Sequence, residues 1–168
     1  MLFSLSLTRF LRYSEVFSVN LLFPYTYNLE TTFSSGMRIY ICARNMYHEE
    51  TAKIGRFLEK HGHMVFYAAK DTYQNAPPDE VFLNNLVLIR NCDVFIAYFT
   101  KDGHYGVDFA VEVGIAAEAG KTIIGYIDVE KEYLEAFEKR FEKDIMFSGA
   151  FTQMFDDLEE FGKFLLLM

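Results

Sequence analysis

The chain reads Val107-Asp-Phe-Ala-Val-Glu-Val-Gly-Ile-Ala-Ala-Glu-Ala-Gly120 after an apolar run at residues 93–99 and a seven-residue loop. This stretch predicts a helix too apolar to have a solvated face. Because Glu112 lies inside it, the carboxylate must be desolvated or point into a cavity, and either placement suggests chemistry. Asp108 lies one turn earlier, at the spacing that puts two negative charges side by side. The alternative is that Asp108 caps the helix dipole and Glu112 pairs with a Lys or Arg elsewhere.

Short β-rich runs alternate with helical ones from Met37 onward, which predicts a sheet covered by helices on both faces. Strands are predicted at residues 38–43, 63–67, 93–99 and 121–127. Helices are predicted at residues 47–61, 79–90, 107–120, 130–143 and 156–167. The expected fold class is a doubly wound, mostly parallel α/β sheet of the flavodoxin or Rossmann type.

The topology of such a sheet locates a binding crevice. Ligands bind beyond the carboxyl ends of the strands, where the strand order reverses. If the order begins 2-1-3, the crevice lies between the loops that follow the first and third strands. These loops are residues 43–46 and residues 100–106, and both point at the start of the Glu112 helix.

Composition excludes several classes of protein. The 168 residues are 51% hydrophobic, which is sufficient for one domain with a sizeable core. A net charge of −8 argues against a nucleic acid polymer as partner. Cys42 and Cys92 lie in or beside predicted strands, without the spacing of a disulfide framework or a zinc site, so a reducing cytoplasm fits best. No metal or tightly held cofactor is indicated.

The first 36 residues differ from the rest, since they are rich in Phe, Leu, Ser and Thr and poor in charge. They lack an apolar run of membrane-spanning length and the pattern of a secretory signal, so no membrane partner is expected. We expect residues 1–36 to be an extension outside the core fold and residues 37–168 to form a single domain. The alternative is an extra element whose aromatic side chains pack against the domain or a neighbouring subunit.

The pattern Glu112-x-Gly114-x-Ala116-x-x-x-Gly120-Lys121 after a buried strand resembles the nucleoside 2-deoxyribosyltransferase family, including its branch of deoxynucleoside 5′-monophosphate N-glycosidases. Further matching residues cover nearly all of the chain beyond the extension: Ile39-Tyr40, Asn85-Leu86, Ile89, Cys92-Asp93, Gly149-Ala150-Phe151 and Asp156-Asp157-Leu158. The resemblance implies that Glu112 attacks C1′ of a 2-deoxyribosyl group while the base departs, and that a second base or water then takes the sugar. It also implies that Tyr40 orients this nucleophile through its hydroxyl; the alternative is a packing role.

Three positions depart from the family pattern. Asn85 stands where the family commonly carries an Asp that contacts the leaving base and assists its protonation, and an amide cannot deliver a proton. Asp108 stands at a usual Gly, so it is either a relocated catalytic carboxylate or a helix cap. The turn after the first strand is Ala43-Arg44-Asn45, in which Arg44 either binds a 5′-phosphate as a fork donor or is a solvated surface charge.

The resemblance therefore implies a small-molecule deoxynucleoside or deoxynucleotide as ligand, no cofactor, and a homo-oligomer. The candidate catalytic residues are Glu112, Tyr40 and Asp108. The candidate substrate-binding residues are Ala43, Arg44, Asn45, Asn85, His104 and Gly106, of which His104 is a candidate sugar contact or acid unless it is an uncommitted loop side chain. Two other functions stay open, namely a nucleotide-binding or sensing module that lost catalysis with Asn85, and an NAD or nucleotide glycohydrolase.

Overall fold

The computed structural model describes residues 36–167, and within this range five strands alternate with helices. The strands are β1 (Arg38–Cys42), β2 (Met64–Phe66), β3 (Val94–Lys101), β4 (Thr122–Val129) and β5 (Gln153–Phe155). The helices are α1 (His48–Lys60), α2 (Ala68–Asp71), α3 (Pro78–Asn91), α4 (Val107–Glu118), α5 (Lys131–Lys143), α6 (Ile145–Ser148) and α7 (Leu158–Leu167). A short 3-10 turn at Asn45–Tyr47 precedes α1.

The sheet has the strand order β2-β1-β3-β4-β5 and all its neighbouring strands are parallel. From β1 the chain moves outward to β2 and then crosses back to β3 on the other side of β1. The predicted doubly wound fold is therefore confirmed in its flavodoxin-like order. The point where the order reverses lies between β1 and β3, so their carboxyl ends border the expected crevice.

Side chains alternate across the two faces of the sheet. Tyr40 and Cys42 of β1 belong to the core on one face, where Ile89 of α3 and Phe109 and Val113 of α4 cover them. The core on the opposite face contains Ile39, Ile41, Leu58, Phe161 and Leu165, so α1 and α7 cover that side. The register of β1 therefore aims the Tyr40 and Cys42 side chains at the layer that carries Glu112.

Several expectations need correction. The third strand continues to Lys101, which shortens the loop before α4, and the sequence reading missed β5, α2 and α6. The prediction that α4 has no solvated face is wrong, because Val107 is 79% exposed and Val111 is 45% exposed.

Other expectations concern the ends of the chain and its thiols. The predicted extension at residues 1–36 lies, except for Gly36, outside the described residues. Between residues 36 and 167, no helix is long and apolar enough to cross a bilayer. Cys42 and Cys92 are buried as free thiols.

Candidate active site

A cleft of about 640 Å³ opens at the carboxyl end of β1, between α3 and the start of α4. Its volume falls within the range of about 300–1,000 Å³ that is typical of small-molecule sites. The cleft is lined by seven of the candidate residues, namely Ala43, Arg44, Asn45, Asn85, Gly106, Asp108 and Glu112. Tyr40 contacts the cleft through Glu112. The structure thus brings together side chains from β1, α3 and α4 where the strand order reverses.

Glu112 holds its carboxylate between uncharged donors. The hydroxyl of Tyr40 donates to Oε2 over 3.3 Å, and Nδ2 of Asn85 donates to Oε1 over 3.1 Å. The thiol of Cys42, two residues beyond Tyr40 on the same face of β1, is a further donor to this carboxylate. Within residues 36–167 no Lys or Arg pairs with Glu112. The alternative prediction, in which an ion pair holds this carboxylate, is therefore wrong for the described residues.

Burial raises the pKa of Glu112, and the nearby charge of Asp108 raises it further. Hydrogen bonds from Cys42, Tyr40 and Asn85 lower the pKa but do not outweigh burial. Burial and the charge of Glu112 hold the pKa of the Tyr40 hydroxyl well above its usual value, and the same two causes act on the Cys42 thiol. Both groups therefore stay protonated and act as donors. A poorly hydrated carboxylate among fixed donors is suited to stabilise positive charge that develops beside it.

Asn85 is oriented by a hydrogen-bonded chain of side chains. The buried hydroxyl of Thr72 donates to Oδ1 of Asn85 over 2.6 Å and accepts a hydrogen bond of 2.7 Å from Nδ2 of Asn84. Because Oδ1 is thus occupied, the Asn85 amide turns its Nδ2 donor toward Glu112. Sequence reasoning missed Thr72 and Asn84, since neither follows an apolar period and only the packing of the segment after α2 onto α3 brings them to Asn85.

Charged groups border the mouth of the cleft. Nη1 of Arg44 donates to both carboxylate oxygens of Asp102, each at 3.1 Å. Sequence reasoning missed Asp102, which follows β3 directly. Asn45 joins the loop after β1 to the loop before α3, because its Nδ2 donates to Oε1 of Gln74 over 3.1 Å. In the described part of the chain, no cluster of three or more His, Cys, Asp or Glu could hold a metal ion.

His104 is not among the residues that line the cleft. Its Nδ1 is 2.7 Å from Nη1 of Arg140 on α5. The turn before it is tight, because Gly103 has φ +64° and an added Cβ would come within 2.9 Å of the Phe137 ring. The packing of this turn on α5 and the contact with Arg140 hold the His104 side chain outside the lining of the cleft.

Comparisons with known proteins agree with this architecture. A profile of the nucleoside 2-deoxyribosyltransferase family matches residues 39–168. Clostridium botulinum CMP N-glycosidase, BcmB, is 22% identical, with a TM-score of 0.50 over 77% of this chain and 98% of that chain. BlsM is 18% identical, with a TM-score of 0.51 over 79% and 90% of the two chains. A 2-desoxiribosyltransferase from Leishmania mexicana is 18% identical, with a TM-score of 0.45 over 53% of this chain and 63% of that chain.

At these identities the two structures with TM-scores of 0.50 and 0.51 show a shared fold. No curated protein matches the chain. The assignment to a family therefore depends on the profile match, which covers most of the chain.

We predict that Glu112→Gln raises the thermal stability of the protein at pH 8. Burial raises the pKa of Glu112, so the folded wild type holds a desolvated charge at this pH and loses stability for it. Below the ordinary glutamate pKa of about 4.3, the folded and unfolded states both carry the proton and this loss disappears. The gain in Tm should therefore shrink as the pH falls from above the raised pKa to below the ordinary one.

The matched control is Glu118→Gln, which removes an exposed carboxylate of the same helix. It should leave Tm nearly unchanged over the same pH range. Thermal unfolding followed by circular dichroism between pH 4 and pH 8 measures both variants. A Glu112→Gln protein less stable than wild type at pH 8 would contradict the prediction.

Proposed function

The chain belongs to the nucleoside 2-deoxyribosyltransferase family, and on this basis we propose that it cleaves or exchanges the N-glycosidic bond of a 2′-deoxynucleoside or its 5′-monophosphate. The reaction is a double displacement with Glu112 as nucleophile. The observation that carries the proposal is the desolvated Glu112 carboxylate, which lines the cleft and receives hydrogen bonds from Tyr40 and Asn85 on its two oxygens.

In the first step, an oxygen of Glu112 forms a bond to C1′ while the C1′–N bond breaks and its electron pair leaves with the base. The Tyr40 and Asn85 donors hold the carboxylate in one orientation, which lowers the entropy cost of reaching the anomeric carbon. In the second step, a nitrogen of another base or the oxygen of water attacks C1′, and the ester bond to Glu112 breaks. Nucleophilic attack twice on one carbon retains its configuration.

The departing base also needs a proton. Asn85 cannot supply one, and its Nδ2 is already directed to Glu112. Asp108 is the other carboxyl group that lines the cleft, one helical turn before the nucleophile. We assign to Asp108 the role of the acid that protonates the leaving base and later accepts a proton from the acceptor.

Asn85 also favours a second candidate function, a nucleotide-binding module without catalysis. In that case the cleft would bind a deoxynucleoside and raise the Tm of the protein, while no free base would form. Incubation with the natural deoxynucleosides, their 5′-monophosphates and NAD, with and without an acceptor base, separates these functions. Base exchange would indicate a transferase. Release of the base without an acceptor would indicate a hydrolase, and release of nicotinamide from NAD would indicate a glycohydrolase.

We predict that Glu112→Ala lowers turnover by a factor on the order of 10³ or more, because the covalent step loses its nucleophile. Chromatography of the free base measures the loss. Glu118→Ala, at the other end of α4, is the matched control and should retain wild-type turnover. Full activity in Glu112→Ala would refute the assignment of the nucleophile.

We predict that Tyr40→Phe lowers kcat about tenfold, since hydrogen bonds to charged groups contribute about 1.5–3 kcal/mol. The Tyr40 hydrogen bond lowers the pKa of Glu112, so its loss raises that pKa further. Because the attack needs the ionised carboxylate, the acid limb of the kcat/KM profile should move to higher pH. The control is Tyr98→Phe, which removes a hydroxyl that donates to Asp128 on the opposite face of the sheet. An unmoved acid limb in Tyr40→Phe would assign Tyr40 a packing role.

We further propose that two copies of the chain associate through an apolar face on α3 and α4. This α3–α4 face consists of the exposed side chains Phe82, Leu83, Val87, Val107 and Val111. Exposed apolar patches of this kind are typical of interaction sites. The face is continuous with the cleft, because Phe82 and Val111 also line it, so a second copy seated there covers one wall of the site. Gly114 leaves room for a neighbouring helix on the same side of α4.

We predict that Leu83→Glu combined with Val107→Glu converts a wild-type dimer into a monomer, because charge would be buried without a partner. Light scattering coupled to size exclusion gives the mass, and circular dichroism checks that the fold is kept. Leu166→Glu, an exposed apolar position on α7, is the control and should keep the wild-type mass. A monomeric wild type would contradict the proposed association.

A further inference from the structure

Two features near the mouth of the cleft attract anions. One is the guanidinium of Arg44 in the loop after β1, and the other is the amino end of α4, which begins after Gly106. A guanidinium and a helix N-terminus are both groups that commonly bind phosphate in proteins. We would therefore expect a 5′-phosphate on the substrate to bind the guanidinium or the helix end, unless a carboxylate of the chain already occupies that group.

The charge of Arg44 is already matched by a carboxylate of the chain itself. Nη1 of Arg44 is 3.1 Å from both carboxylate oxygens of Asp102. The two side chains are 33% and 30% exposed, so water screens their attraction only in part. Burial by itself raises the pKa of Asp102, but the backbone N–H of His104 and the Arg44 guanidinium together bring it below its usual value. Asp102 is thus ionised near neutral pH.

Asp102 cannot easily turn away from Arg44, because its turn is tightly fixed. Its neighbours Lys101 and Gly103 both have positive φ angles, of 58° and 64°. The turn is closed by a 3.0 Å hydrogen bond from the Gly103 N–H to the Thr100 carbonyl, and the His104 N–H donates to Asp102 over 2.9 Å. Since Gly103 also packs against Phe137, a shift of the turn would disturb the core under α5.

The amino end of α4 carries a carboxylate as well. Asp108 lies in the first turn of the helix, where it interacts favourably with the helix dipole, and its side chain lines the cleft. Glu112 follows one turn later. The cleft is thus lined by the carboxyl groups of Asp108 and Glu112, and Asp102 at its mouth matches the guanidinium of Arg44. A phosphate monoester would add a charge of about −1.5 to −2 to this negative site.

We propose that the Arg44–Asp102 ion pair makes the cleft select unphosphorylated 2′-deoxynucleosides over their 5′-monophosphates. This inference rests on the proposed function and specifies its substrate class. Asp102 acts as a specificity-determining residue, because it occupies the guanidinium that a phosphate would otherwise bind. The neutral 5′-hydroxyl of a nucleoside faces no such competition and can donate a hydrogen bond to a carboxylate.

The test compares kcat/KM for the four natural deoxynucleosides with kcat/KM for their 5′-monophosphates. Wild type should prefer the unphosphorylated member of the best pair by about tenfold or more. Asp102→Asn should move this ratio toward the monophosphate by about fivefold, the effect expected from one partly exposed ion pair. Added NaCl should lower the wild-type preference, because salt screens the repulsion.

The matched control is Asp93→Asn, which breaks the Arg38–Asp93 pair at the opposite end of the strands. It should leave the ratio at the wild-type value. Calorimetry of the wild type with each deoxynucleoside and its monophosphate gives the same comparison without turnover. This measurement tests the selectivity even if Asp102→Asn folds poorly.

A wild type that prefers monophosphates would overturn the inference while the proposed reaction stands, and so would an unchanged ratio in Asp102→Asn. Absence of base release from every substrate would instead count against the proposed function. Tighter calorimetric binding of the unphosphorylated compounds would then still support the selectivity, and tighter binding of the monophosphates would refute it.

Discussion

A carboxylate that loses its water needs other donors in its place, and those around Glu112 come from separate parts of the chain. Tyr40 and Cys42 come from the first strand, and Asn85 comes from a helix. None of them carries a charge, so they fix the carboxylate without neutralising it. A Lys or Arg in their place would hold the group more strongly but would oppose the positive charge that the proposed reaction develops at an anomeric carbon.

The strand order explains how these groups meet. Because β1 lies between β2 and β3, its carboxyl end opens toward the α3–α4 layer rather than toward a sheet edge. The strand alternation places Tyr40 and Cys42 on that side and sends Ile39 and Ile41 to the other core. The same alternation therefore supplies both the hydrophobic packing and the polar contacts of Glu112.

Much of this arrangement could be predicted from the sequence. Apolar runs and glycine stops located four of the strands, and the topology rule for parallel sheets brought Arg44 and Glu112 to one crevice. Asn85 was identified through the resemblance to the family. The strand β5 has three residues, too few to show the alternating pattern of a strand, and it forms by pairing with β4. Thr72 and Asp102 act through contacts between segments far apart in sequence, which local patterns do not encode. His104 was expected at the site because its loop joins β3 to the Glu112 helix. The packing of Gly103 on Phe137 decides which way that loop turns, and the sequence pattern does not encode this contact.

The two outermost strands of the sheet, β2 and β5, have three residues each. A strand at the edge of a sheet exposes unpaired N–H and C=O groups, which can template the addition of a strand from another molecule. Edges this short offer few such groups, so the sheet is a poor starting point for edge-to-edge aggregation. Within residues 36–167, contact between copies of the chain would therefore depend on side chains of its helices, which can be matched in shape and released again, rather than on backbone pairing.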